Sequence, residues 1–351
     1  MKKITLLLSL CALVFSVMFV GCATSAQEPA LGAEPTTKIV TDLTGKQVEI
    51  PVEVNRVCSS FEAMESVFVQ LGIVNKNVAA VASNQENKWF IKVDPEIVNR
   101  PVVFASPTDV NLESLLALEP DVVFVAHVDM RDFLLEAKIP ALFVQFTTAE
   151  TVIEGLRLLG EVLGGDAQNI SRMLIADYEA NMALVKQKTD PIPKDQRPTV
   201  FYTAGGVLNT EAKGSIVTAW IEMAGGVNIA AENGIEGLFI DITLESLLEW
   251  DPDVIICRDA SHKEEYYEDN RFANLSAVKN DRVYVNPMGV FKWSVRSSEG
   301  VLQPIWAATV IQPELFADLD VVPYVRDFYS KYYLYDCTDE EIREILFPTE
   351  D

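Results

Sequence analysis

Catalysis by proton transfer or nucleophilic attack needs acids, bases or nucleophiles gathered in one place. The sequence shows little sign of such a set. It holds two histidines, His127 and His262, and neither stands in an HExxH or HxH pattern that would organise zinc or manganese. No GxSxG elbow, P-loop or GxGxxG turn occurs. What remains is a set of residues suited to holding a solute. Ser59, Ser60, Asn84, Trp89, His127 and Arg131 fall at or beyond predicted strand ends in the first half of the chain. Tyr202, Asn209, Arg258, Lys292, Trp293 and Arg296 do so in the second. Open α/β sheets bind ligands beyond the carboxyl ends of their strands. There, aromatic rings can stack on a flat or greasy ligand and arginine can fork onto carboxylate or catecholate oxygens. Each of these residue types serves equally well as packing, or as the partner of one of the chain's many acids.

The elements that must position these residues are announced by a repeat. Residues 111–126 read NLESLLALEPDVVFVA and residues 243–258 read TLESLLEWDPDVIICR, identical at 8 of 16 positions at a constant offset of 132. Each copy is a polar cap, a short helix, a Pro-Asp turn and an apolar β-branched run, the αβ half of a βαβ unit with a buried parallel strand. Two copies, each with its own flanking strands and helices, predict two related Rossmann-like α/β lobes with a ligand cleft between them. A hairpin over Lys38–Pro51, strands at 55–59, 78–82, 101–104, 122–126 and 141–145, and helices at 61–71 and 131–137 fill the first lobe. Asp166 opens a helical run to about Lys188, roughly 35 Å at 1.5 Å per residue, which ends in the breaker DPIPKDQRP. The expected division is 38–165 for the first lobe, 166–189 for a single connecting helix and 190–351 for the second lobe.

The N-terminus addresses the chain to the cell envelope. Lys2 and Lys3 precede an uninterrupted apolar run, Ile4–Val20, closed by Gly21-Cys22, the plan of a secretory signal. Cysteine directly after glycine makes it resemble a bacterial lipoprotein signal over residues 1–21, with Cys22 lipidated and the chain periplasmic or on the outer face of the cytoplasmic membrane; an ordinary signal peptide or an uncleaved anchor is the alternative. Phe19 departs from that pattern, which usually carries an aliphatic residue there. The tether at 22–37 is small, polar and Pro-containing, unable to build a core. Net charge is −24, and losing two lysines and no acid with residues 1–21 takes it to −26. Such a surface repels nucleic acid and anionic headgroups. Cys58, Cys257 and Cys337 lack CxxC spacing and read as buried free thiols.

Four stretches, KIVTDLTGKQVEIPVEVNRV, NLESLLALEPDVVFV, AGGVNIA and PMGVFKWSVRSSEGVLQPIWAA, together resemble bacterial ABC-transporter substrate-binding proteins. The matching branch carries ferric siderophores, haem and cobalamin between two α/β lobes joined by one long helix. The resemblance spans Lys38 to Leu346 and rests on the order and coverage of the stretches. It implies a monomeric binding protein and not an enzyme, with no cofactor of its own, delivering a metal chelate to a permease dimer driven by an ATPase. It also implies that a glutamate on each lobe docks with arginine pockets of the permease. The matching positions are Glu113 and Glu245, equivalent residues of the repeat, although an acid in a helix's first turn is favoured by the helix dipole in any case. Trp293, Arg296 and Ser298 match the W-x-x-R-x-S motif of the cobalamin-binding relative. Its second cleft tryptophan aligns near Pro107, so half of that clamp is missing unless Trp89 replaces it. Arg258, Lys292 and Arg296 suit a ferric siderophore, and Tyr202 or His127 could serve as a haem ligand. The ligand ranking is an iron chelate first, cobalamin or another corrinoid second and haem third. The alternatives outside this class are an exported α/β enzyme acting on a cofactor, or a sensory or scaffolding lipoprotein.

Overall fold

The structure, a computed structural model, describes residues 35–349 of the 351. The signal, Cys22 and most of the tether lie outside the described residues. Strands β1 (Thr37–Thr41) and β2 (Gln47–Pro51) pair antiparallel as a hairpin. Its turn is organised by Asp42, whose carboxylate accepts the Thr44 and Lys46 amides and the Thr44 hydroxyl. Arg131 donates to the same carboxylate at 2.9 Å, and both groups are buried. Arg131 therefore fastens the hairpin to the lobe and is not a ligand group, a correction to its reading as a cleft arginine.

The first lobe continues through β3 (Val57–Ser59), α1 (Glu62–Gln70), β4 (Ala80–Val81), α2 (Ala82–Glu86), α3 (Lys88–Val93), β5 (Val102–Ser106) and β6 (Asp109–Val110). Next come α4 (Leu112–Ala117), β7 (Val122–Val125), α5 (Val128–Glu136) and β8 (Ala141–Phe143). β7 lies between β3 and β8, parallel to both. All four of its residues are buried, as a strand covered on two faces requires. β4 runs parallel to β5, which pairs antiparallel with β6. The two strand groups meet where the Val78 amide donates to the Val57 carbonyl at 2.9 Å.

Helix α6 (Ala149–Leu163) starts from a reciprocal cap between Thr148 and Thr151. Gly164 and Gly165, both at positive φ, turn the chain directly into α7 (Gly165–Thr189), 25 residues or about 37 Å long. The two helices approach closely at Gly160, where a Cβ would lie 3.0 Å from Ser171. Beyond that contact α7 reaches the second half of the chain: Asn181 donates to the Val301 carbonyl at 2.8 Å and Thr189 to that of Met223 at 2.7 Å.

The second lobe comprises β9 (Thr199–Thr203), β10 (Asn209–Thr210), α8 (Ile216–Met223), β11 (Val227–Asn228), α9 (Ile229–Glu232), β12 (Ile240–Asp241) and α10 (Leu244–Trp250). It goes on through β13 (Val254–Cys257), α11 (Ala260–Glu268), α12 (Ser276–Lys279) and β14 (Val283–Val285). Its parallel sheet has the order β11-β9-β13-β14, while β10 and β12 form a short antiparallel pair. The repeat persists in backbone detail. Asn111 and Thr243 cap α4 and α10 by accepting the Ser114 and Ser246 amides. Glu119 and Asp251, equivalent at the 132 offset, both take positive φ, 43° and 40°.

Three helices close the chain: α13 (Gln303–Ile311), α14 (Val322–Phe328), which continues as a π turn over Tyr329–Tyr333, and α15 (Asp339–Leu346). They hold both lobes. Gln70 donates to the Tyr333 hydroxyl at 2.8 Å, Lys92 pairs with Glu341 at 2.6 Å, and the Trp89 and Tyr329 rings meet edge to face at 5.9 Å. Cys58, Cys257 and Cys337 are buried free thiols. Among the described residues no helix is long and apolar enough to cross a membrane.

Candidate functional site

A pocket of about 820 Å³ opens between the two halves of the chain. Asn84 and Trp89 line it from α2 and α3, Arg258 from the end of β13, and Met288, Phe291 and Lys292 from the loop after β14. The last helix closes one side through Glu340, Arg343 and Glu344, with Phe347 just beyond its end. This volume is in the range of clefts that enclose a drug-sized solute.

On the first-lobe wall Asn84 is buried, and its side-chain amide donates to the Glu62 carbonyl and, at 2.7 Å, to the Glu65 carboxylate. Glu65 also accepts the Val81 amide at 3.1 Å and stays buried without a cationic hydrogen-bond partner. Burial therefore raises its pKa to about 7, against the pull of these hydrogen bonds. Trp89 is held at the start of α3 by Asn87, whose side chain accepts the Trp89 and Phe90 amides. The same Asn87 donates to the Val290 carbonyl across the cleft at 2.9 Å.

The second-lobe wall is cationic. Lys292 reaches Asp259 at 2.5 Å. The Arg258 guanidinium lies 5.7 Å from the Phe239 ring centre and the Arg296 guanidinium 5.3 Å from it. One exposed ring thus serves two arginines. Phe239 and Arg296 both take positive φ, 55° and 47°, a costly conformation for such side chains that clusters at functional sites. Arg296 is tied to the fully buried Glu211 at 3.2 Å. The Arg258 Nε is buried and makes no hydrogen bond, but it lies 3.7 Å from the Asp259 carboxylate, which Arg258 and Lys292 therefore share. Beside it, Thr203 accepts the Arg258 amide and shares a 2.7 Å hydrogen bond with His262 Nδ1. Burial lowers the His262 pKa, favouring the neutral ring.

Several sequence expectations are corrected. Tyr202 is fully buried, its hydroxyl 2.9 Å from that of Ser294 and its ring edge-on to Trp220. It belongs to the core and offers no ligand oxygen to the cleft. Trp293 is 1% exposed and donates its Nε1 proton to Glu299 at 2.9 Å, so it anchors the loop that bears Lys292 and does not line the pocket. Arg296 sits behind Phe239 and does not line the pocket. Ser59 bonds to the Phe61 backbone, and Asn209 braces its turn through the Gly205 amide and Asp241. Ser60 is buried with its hydroxyl unpartnered. His127 is exposed at the start of α5, off the pocket wall. Ser60 and His127 thus stand apart from Asn84, Trp89, Arg258 and Lys292, which the structure brings together. Phe239, Glu211 and His262, which pack around Arg258 and Arg296 behind that wall, were missed. Among the described residues no group of three or more His, Cys, Asp or Glu side chains is placed to hold a metal ion. The wall bearing Arg258 and Lys292 can bind an anion.

A sequence model of the periplasmic binding protein family matches residues 64–288. The chain belongs to that family. The molybdate-binding protein MolA of Haemophilus influenzae is 30% identical over 328 residues, 84% of this chain and 91% of MolA. MolA's structure with bound molybdate superposes with a TM-score of 0.77 at 27% identity, covering 86% of this chain and 99% of that one. A periplasmic solute-binding protein from Veillonella parvula gives a TM-score of 0.78 at 30% identity, over 88% and 97% of the two chains. The iron-uptake system-binding protein of Bacillus subtilis is 23% identical over 309 residues, 82% of this chain and 91% of that one. As a periplasmic binding protein of the ABC-transporter class, the chain is a solute-binding component of an importer and not an enzyme. Its partners are a small-molecule solute and a permease with its ATPase.

Proposed function

We propose that this periplasmic binding protein captures an anionic, oxygen-rich metal complex, an iron chelate of the siderophore type. The observation that carries the reading is that Arg258 and Lys292, both on the pocket wall, share a single carboxylate, that of Asp259, in a chain of net charge −24. Two cations on one carboxylate leave positive charge in excess on that wall, which favours an anion beside it, and a guanidinium suits planar pairs of oxygens. The pocket of about 820 Å³ is far larger than a bare oxyanion needs. A second reading, molybdate itself, is supported by the likeness to MolA. Corrinoid and haem follow, the latter weakened by the burial of Tyr202.

Calorimetric titration with a ferric tris-catecholate, molybdate, cyanocobalamin and haemin tests the assignment. The chelate is expected to bind, and Arg258→Ala to weaken it by about tenfold or more without lowering the unfolding temperature. Binding of molybdate alone would replace the first reading with the second. Equal affinity of wild type and Arg258→Ala for every probe would remove the cationic wall from the site.

The same reading includes a lipid anchor on Cys22 that keeps a monomer at the outer face of the cytoplasmic membrane, and docking on the permease through Glu113 and Glu245. Both glutamates are exposed in the first turns of equivalent helices. Glu113→Ala combined with Glu245→Ala is expected to leave solute affinity intact and abolish uptake; uptake at the wild-type rate would end the docking assignment.

A further inference from the structure

The repeat carries more than a pair of acids. In α4 and α10 the pattern of exposure is the same residue by residue. Leu115 and Leu247 are fully buried, whereas the next residues, Leu116 and Leu248, are 48% and 40% exposed. Leu116 lies three residues after Glu113, and Leu248 three after Glu245, so each leucine shares a helix face with its glutamate. Neither glutamate makes a hydrogen bond or ion pair among the described residues. Of the large hydrophobic side chains exposed among the described residues, Leu116 and Leu248 are the one pair related by the 132-residue offset. Scattered exposed leucines are ordinary. Two at the same place in both lobes, each beside an unpaired carboxylate, are not scattered.

We infer that Leu116 and Leu248 are the apolar anchors of a two-point docking surface, one Leu–Glu patch per lobe. Its occupant would be a membrane partner that offers the same socket twice, an apolar hollow rimmed by a guanidinium. An apolar contact inside a charged rim is the usual anatomy of a specific interface. Two like patches on one chain match a partner built of two like halves. The glutamates then supply attraction and register, and the leucines supply the part of the affinity that salt does not screen. The inference rests on the docking reading of Glu113 and Glu245 and adds a second residue to each contact.

Photo-crosslinking in native cells separates the two. The full-length protein would carry benzoyl-phenylalanine at 113, 116, 245 or 248, one position at a time, and adducts would be identified by mass spectrometry. Adducts with an ABC permease subunit from both 116 and 248 are expected. Leu116→Ser with Leu248→Ser should cut the yield from position 113 by about tenfold while leaving the unfolding temperature unchanged. Permease adducts from 113 and 245 but none from 116 or 248, or a yield indifferent to the serine pair, would overturn the anchor role and leave the docking reading standing. No permease adduct from any of the four positions would overturn both.

Discussion

Acidifying this protein from pH 8 to pH 5 should make it more stable, and Glu299 is a principal reason. Its carboxylate is fully buried and faces only neutral donors: the Trp293 indole at 2.9 Å, the Tyr333 hydroxyl at 2.7 Å, the Phe291 amide at 3.3 Å and the Tyr329 hydroxyl at 3.4 Å. Burial outweighs these hydrogen bonds and raises its pKa from 4.5 to about 7. Between those two values the folded protein holds a proton that the unfolded chain has released. Stability contributed by the group is therefore full below about pH 4.5 and is lost as pH rises towards 7. The displacement corresponds to about 3 kcal/mol. Glu65, raised to about 7 by the same cause, adds a similar amount. Against a total of roughly 5–15 kcal/mol for a typical domain, this is a large effect. Repulsion among surface acids acts in the same direction, so pH alone does not isolate the buried groups; the variants do. Urea unfolding followed by tryptophan fluorescence at pH 5 and pH 8 should show a wild-type loss of several kcal/mol on going to pH 8. Glu299→Gln should shrink that difference by about 2–3 kcal/mol, whatever its effect at either single pH. An identical pH dependence in wild type and Glu299→Gln would refute the argument.

Gly289→Ala should destabilise by about 3 kcal/mol, because a Cβ there would lie 1.7 Å from the Tyr329 hydroxyl and 2.9 Å from the Glu299 carboxylate; thermal unfolding checks it. Arg131→Ala should cost about 3–5 kcal/mol by leaving buried Asp42 without its cation, yet solute affinity measured below the lowered unfolding temperature should be unchanged.

The parts of the fold legible in the sequence were those with strong periodicity or duplication. The hairpin and the helices flanking Gly164-Gly165 show the first, and the αβ units around 111–126 and 243–258 show both. Helix α11 escaped notice because its sequence, ASHKEEYYE, is polar and only Tyr266 is buried. The β10–β12 pair escaped because two-residue strands leave no alternation to read. At the site, Lys292 and Arg258 were legible as cations after strands. Tyr202 was misread because four of the five residues of β9 are buried, so its position near a strand end carries no information about facing the cleft. Trp293 was misread because its partner Glu299 lies in the following turn, Ser298–Val301, where the sequence suggests only helix. Phe239 was invisible for a different reason: its role depends on two arginines that meet only in the folded chain.

The C-terminal helices that hold both lobes also set the order in which the molecule can be completed. Gln70 finds Tyr333, Lys92 finds Glu341 and Asn87 finds Val290 at sequence separations of 263, 249 and 203 residues. Loops of that length must close before these contacts return any free energy, which slows folding. A ribosome that has released only the first lobe has therefore produced a piece still lacking the partners of α1 and α3. The native state is reached only after the last twenty or so residues have emerged. Until then the first lobe has no partner for the faces of α1 and α3 that the C-terminal segment covers.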